Sequence, residues 1–138
     1  MYPHQPRLAD HLKQAHAHSW QRIANAGECF TGVERVAIVR TAREALTCEL
    51  CDTRKQALSP RAVTGSHEHS GTLDTVVVDM IHRIRTDPGR LTRAWFDEVT
   101  QHITKQAYVE IVSVVASSVI IDTMHNALGL GLPVLPHP

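Results

Sequence analysis

Two cysteines dominate the chemistry this sequence offers: Cys48 and Cys51, in "EALTCELCDTRK" over residues 44–55. On a helix, residues i and i+3 share a face, so this spacing can bring two sulfurs together. A cysteine in the opening turn gains most, because free N–H groups and the helix dipole favour its thiolate. Thr47 is a candidate N-cap for such a start, and Lys55 adds positive charge one turn past Cys51. The chemistry would be thiolate attack on a peroxide or disulfide, closing to an internal disulfide that an outside donor must reduce. Two other readings compete. Nothing after Gly32 strongly breaks a helix, so the cysteines can also be small buried residues in one uninterrupted helix. Cys-x2-Cys is also followed, after fifteen residues, by His67-x-His69, which suggests zinc. One residue between the histidines is short of the usual three to five, so both could ligate only from an extended loop.

The histidines supply further candidates. His67 and His69 sit in "GSHEHSG", flanked by Gly65 and Gly71, and His82 follows Asp79 at i+3, where the carboxylate could orient its ring. With Glu110 these three imidazoles form a possible first-row metal set suited to zinc or iron. Glu110 lies among apolar neighbours in "YVEIVSV" and needs a partner; a buried ion pair with Arg83 or Arg90 is the plainer account. The histidines at 4, 11, 16, 18 and 137 read as surface, and those at 102 and 125 have no informative context. "RTDPGRLTRAW" reads as a helix-ending turn with solvated arginines.

Helices must position these groups. Residues 7–26 carry a loose apolar stripe of Leu8, Leu12, Ala15, Trp20 and Ile23 before the stop at Gly27. Residues 32–46 predict a second helix, and "CELCDTRKQAL" either continues it or starts another that Ser59-Pro60 closes. A polar loop follows; Thr72 is then a candidate N-cap for a helix ending at "TDPG". A shorter helix is expected over 90–101 and a long one over 104–128, with Gly129 as its C′ residue and a Pro-rich tail from about 129. No segment sustains period-two alternation, so the predicted class is all-α, one domain over 1–138. A last helix apolar on several faces needs covering by other helices or another subunit, which favours a homo-oligomer.

Composition narrows the function. Fourteen Lys and Arg balance fourteen Asp and Glu, so no electrostatic footprint points to nucleic acid or an anionic membrane. The N-terminus has no apolar h-region. The longest apolar run, "IVSVVASSVII", has eleven residues against the ~20 of a membrane span. Three cysteines, an odd count, argue against a disulfide framework and for a reducing compartment, the cytoplasm.

Longer stretches carry a resemblance. "TGVERVAI", "CELC", "RKQALSPRAVTGSHEHSG", "IHRIRTDPGRLTRAWFDE", "YVEIVSVVA" and "ALGLGLPVLP" occur in that order between Arg7 and Pro136. Together they resemble the alkylhydroperoxidase-like branch of the carboxymuconolactone decarboxylase superfamily. The resemblance implies an all-helical bundle assembled through its helices into trimers or hexamers. It also implies a peroxidase or disulfide reductase in which a glutamate and a histidine relay protons to the cysteine pair. Cys51 would meet the hydroperoxide, Cys48 would close the disulfide, and an external thiol or protein reductant would reopen it. Glu34 matches the family's acid by local context, two residues further from the first cysteine than is typical; Glu44, one turn before Cys48, is the alternative. Lys55 stands where the family has its histidine, so His67, His69 or His82 would have to serve instead. No cofactor is expected on this reading, and a divalent metal only on the alternative one.

Overall fold

The computed structural model describes all 138 residues as six α-helices and three 3-10 turns, with no strand. The helices are α1 (Asp10–Ile23), α2 (Gly32–Glu44), α3 (Glu49–Gln56), α4 (Thr75–Thr86), α5 (Arg93–Val99) and α6 (Lys105–Ala127). The all-α expectation holds. Several ends differ from it: α1 is shorter at both ends, and α4 is preceded by Asp74 rather than Thr72.

Local chemistry explains the main boundaries. Thr31 and Glu34 form a capping box at the start of α2: Thr31 Oγ1 accepts from the Glu34 N–H at 3.3 Å, and Glu34 Oε2 accepts from the Thr31 N–H at 2.8 Å. Thr92 and Thr104 cap α5 and α6 in the same manner, each accepting from the third residue on. α6 ends in a Schellman arrangement. Gly129 takes φ +67°, its N–H donates to Asn126 O, and the Leu130 N–H donates to His125 O.

α6 is the centre of the molecule and packs against α1, α2 and α4. Ile111, Val114, Val115 and Ile121 of α6 join Ile38 and Val39 of α2 and Met80 and Ile81 of α4 in one core, closed by Trp20 and Trp95. By length and composition α6 could also cross a bilayer: its 23 residues include a window of mean hydropathy 1.6, because interspersed serines shorten the longest apolar run without lowering the average much. Here α1, α2 and α4 pack on it. Val109 and Ile120 of α6 and Val33 of α2 stay more than half exposed.

The tail beyond α6 is extended and docked. Trp20 Nε1 donates to Val134 O at 3.0 Å, Arg43 Nη1 to Pro133 O at 3.0 Å, and His125 Nδ1 lies 2.9 Å from Gly131 O. Arg43 also makes a two-pronged pair with the buried Asp122 carboxylate, at 2.9 and 2.7 Å. Arg43→Ala would leave that carboxylate buried and unpaired and release a tail carbonyl. A loss of about 3 kcal/mol or more is expected in urea unfolding, with Arg43→Lys recovering only part, since an ammonium cannot reproduce the fork.

Candidate functional site: a cysteine and histidine cluster

The helix entering from α2 does not run through the cysteines. Residues Ala45–Thr47 tighten into a 3-10 turn, and Cys48 is extended (φ −76°, ψ 119°) as the N-cap of α3. Thr47 is therefore not the cap; its hydroxyl donates back to Glu44 O at 3.3 Å. This break turns both sulfurs inward. Cys48 is 3% and Cys51 5% exposed, while Leu46 and Thr47 face outward.

Two imidazoles meet the sulfurs. His82, from the middle of α4 and 0% exposed, places Nδ1 3.2 Å from Cys51 Sγ. His67, from the loop before α4, places Nδ1 3.5 Å from Cys51 Sγ and 3.6 Å from Cys48 Sγ. The rings lie 4.2 Å apart, centroid to centroid. Behind His67 stands Asp79, one helical turn before His82: its Oδ1 is 2.8 Å from His67 Nε2 and accepts from Arg54 Nη1 at 2.6 Å. Arg54 Nη1 and His67 Nε2 are only 3.3 Å apart because both aim at this one oxygen. Arg54 also donates through Nε to Val63 O at 3.1 Å, tying the loop to α3.

α3 has only eight residues and needs external support. Arg90 supplies it, donating to the carbonyls of Arg54, Lys55 and Ala57 at the end of the helix, at 2.7–2.9 Å. The arginine-rich turn at 85–93 thus has a structural task that sequence alone does not disclose.

The electrostatics follow from these contacts. Burial pushes the Asp79 carboxyl up, but His67 and Arg54 outweigh it and hold the group down at about 2. Burial disfavours the His67 imidazolium, yet Asp79 and the two sulfurs outweigh that and raise it to about 10. Burial likewise pushes the Cys48 thiol up. Hydrogen bonds from His67, from the Cys51 and Glu68 backbone and from the Cys51 side chain reverse this and bring it to about 7. His82 moves the other way, to about 4, through burial and the neighbouring His67 charge. At neutral pH the cluster therefore pairs a readily formed thiolate with an imidazolium, beside a neutral imidazole.

The remaining sequence candidates lie elsewhere or act indirectly. His69 does not reach the sulfurs; its Nδ1 is buried without a partner on the wall of an adjacent cavity. Glu44 bonds the Ser70 N–H and hydroxyl, anchoring the far end of the loop that carries His67. Glu34 is engaged in its cap. Glu110 accepts from the Cys29 N–H at 2.8 Å and sits 3.5 Å from Arg35, not Arg83 or Arg90. It fits there because Gly27 has no Cβ, whose position would fall 1.7 Å from the carboxylate oxygen. Lys55 is exposed. Asp79 orients His67 rather than His82, and Arg54 joins the site from the Cys51 face of α3 at i+3, a position that only helical spacing could have flagged.

A cavity of about 460 Å³ opens beside His67 and Asp79, lined by Arg54, Arg61, Arg83, His69, Trp95 and Glu98 among others. Arg83 stacks over Trp95 at 5.2 Å. No family model matches the chain, and no curated protein or solved structure matches it.

Asp79→Asn removes the charge that sustains the His67 imidazolium. The Cys48 thiol is expected to move upward from about 7 toward its ordinary value, read by thiolate ultraviolet absorbance against pH in a Cys29→Ser background. An unchanged titration would show that Asp79 does not govern the pair.

Proposed function

We propose that this chain is a thiol-dependent oxidoreductase of the alkylhydroperoxidase type, reducing hydroperoxides through a Cys48–Cys51 disulfide. The observation that carries this reading is the placing of both sulfurs at the start of α3, within 3.6 Å of one imidazole that Asp79 orients. The sequence resemblance supports the same chemistry, with His67 and His82 in place of the family's histidine.

Cys51 is the attacking residue because its sulfur touches both imidazoles. Neutral His82 takes the thiol proton as the sulfur attacks the terminal peroxide oxygen. The O–O bond breaks, His67 protonates the departing alkoxide, and Cys51 is left as a sulfenic acid. The Cys48 thiolate then attacks that sulfur and displaces hydroxide, which leaves as water with the proton held by His82. Two thiols and a hydroperoxide thus become a disulfide, an alcohol and water. An external dithiol or protein reductant returns two electrons and two protons, since the chain's other cysteine, Cys29, is exposed and apart from the pair. Unpaired thiols suit the cytoplasm, and the exposed apolar residues on α2 and α6 suit assembly as a trimer or hexamer.

Peroxide-driven disulfide formation should be lost in both Cys51→Ser and Cys48→Ser. Only Cys48→Ser should accumulate a sulfenic acid, trapped by dimedone at Cys51 and located by mass spectrometry. Trapping at Cys48 in the Cys51→Ser protein would reverse the roles, and no peroxide-dependent disulfide in the wild type would sink the reading. His67→Ala is expected to slow the reaction by about 10²-fold or more, the usual share of a positioned acid. Against pH, disulfide closure should rise through about 7 as Cys48 ionises, and peroxide cleavage should fall through about 10 as His67 loses its proton.

A further inference from the structure

We propose that Cys48, Cys51, His67 and His82 also constitute a four-ligand zinc site. The four ligand atoms all lie within 4.8 Å of one another. For a zinc ion with bonds of about 2.3 Å to sulfur and about 2.05 Å to nitrogen, the tetrahedral S···N edge is about 3.6 Å. The three close sulfur–nitrogen separations here are 3.2, 3.5 and 3.6 Å. Three of the six edges of the required tetrahedron are thus already near their length, with both imidazoles presenting Nδ1.

The surroundings fit as well. His67 turns its other ring nitrogen to the Asp79 carboxylate, the arrangement that fixes the tautomer and orientation of a zinc-bound imidazole. Arg54 in turn holds that carboxylate. Two thiolates, two neutral imidazoles and Zn²⁺ sum to zero charge, which suits a buried position better than an isolated ion would. His82 adds a further sign: it is fully buried, and its polar contact is a single sulfur. The ligand set differs from any spaced pattern along the chain, because His82 replaces His69 and Glu110 takes no part.

Four protein ligands leave no position open for water or substrate, so zinc here would hold the thiols and loop 63–74 in place rather than activate a reactant. Binding expels the protons held by the sulfurs and by His67, because the ion takes two thiolates and two neutral imidazoles. A consequence, resting on the peroxidase reading, is that zinc and hydroperoxide compete for the same sulfurs. Oxidation to the disulfide removes two ligands and frees the ion, and the hydroperoxide takes two protons from solvent as it becomes alcohol and water.

The test uses reduced full-length protein stripped with chelator and titrated with zinc, and with cobalt(II) as the spectroscopic probe. One equivalent should bind, and cobalt should give the intense visible bands of tetrahedral coordination with thiolate charge transfer in the near ultraviolet. Cys51→Ser and His82→Asn should lose that spectrum, with circular dichroism confirming their helices; His69→Ala and Glu110→Ala should keep it. A pale octahedral spectrum, no stoichiometric uptake by the wild type, or a spectrum indifferent to Cys51→Ser would overturn the proposal. The stripped protein is also assayed for peroxide-driven disulfide. Disulfide without metal uptake defeats the zinc site alone, and metal uptake without disulfide defeats the peroxidase reading alone.

Discussion

One carboxylate oxygen organises the site. Asp79 Oδ1 receives Arg54 from α3 and His67 from the loop, so a single atom on α4 fixes the spacing of three segments. Its anionic form is favoured because two cationic groups converge on it, and this makes the pairing directional as well as strong. His67 then has one ring nitrogen committed and the other free to face the sulfurs. Cys48 and Cys51 are buried, but the wall around them is polar, which separates them from inert packing cysteines.

The rest of the fold serves that arrangement by rigidity. α4 presents Asp79 and His82 one turn apart on a helix whose neighbouring residues, Met80 and Ile81, lie in the core against α2 and α6. A helix so held cannot rotate without breaking that packing. α3 is too short to persist alone, and Arg90 closes its C-terminal carbonyls from a turn distant in sequence. At the opposite end, the Arg43 and Asp122 pair fastens α2 to α6 and gathers the extended tail.

On the two proposed readings, peroxide and metal would draw on the same side chains in different protonation states. Thiol chemistry uses the imidazolium form of His67 as a proton donor. A metal uses the neutral ring and both thiolates. Both proposals rest on the same ligand atoms, which lie within hydrogen-bonding reach of one another. On these proposals the availability of ion and oxidant would decide between them, acting on one geometry.

Helical class, the CxxC pair, the non-helical tail after Gly129 and the general order of helices follow from local rules: periodicity, caps and breakers act within a few residues. The sequence by itself therefore determined which elements form and which residue types could react. It did not determine that the chain turns at Cys48, since no glycine or proline marks that place and a continuous helix was locally acceptable. Nor did it determine that His82 and not His69 joins the sulfurs, that Asp79 serves His67, or that Glu110 settles beside Gly27 and Arg35. Those choices belong to tertiary structure, because they depend on which faces of α3, α4 and the intervening loop are pressed together. Contacts across tens of residues leave no periodic trace along a single chain.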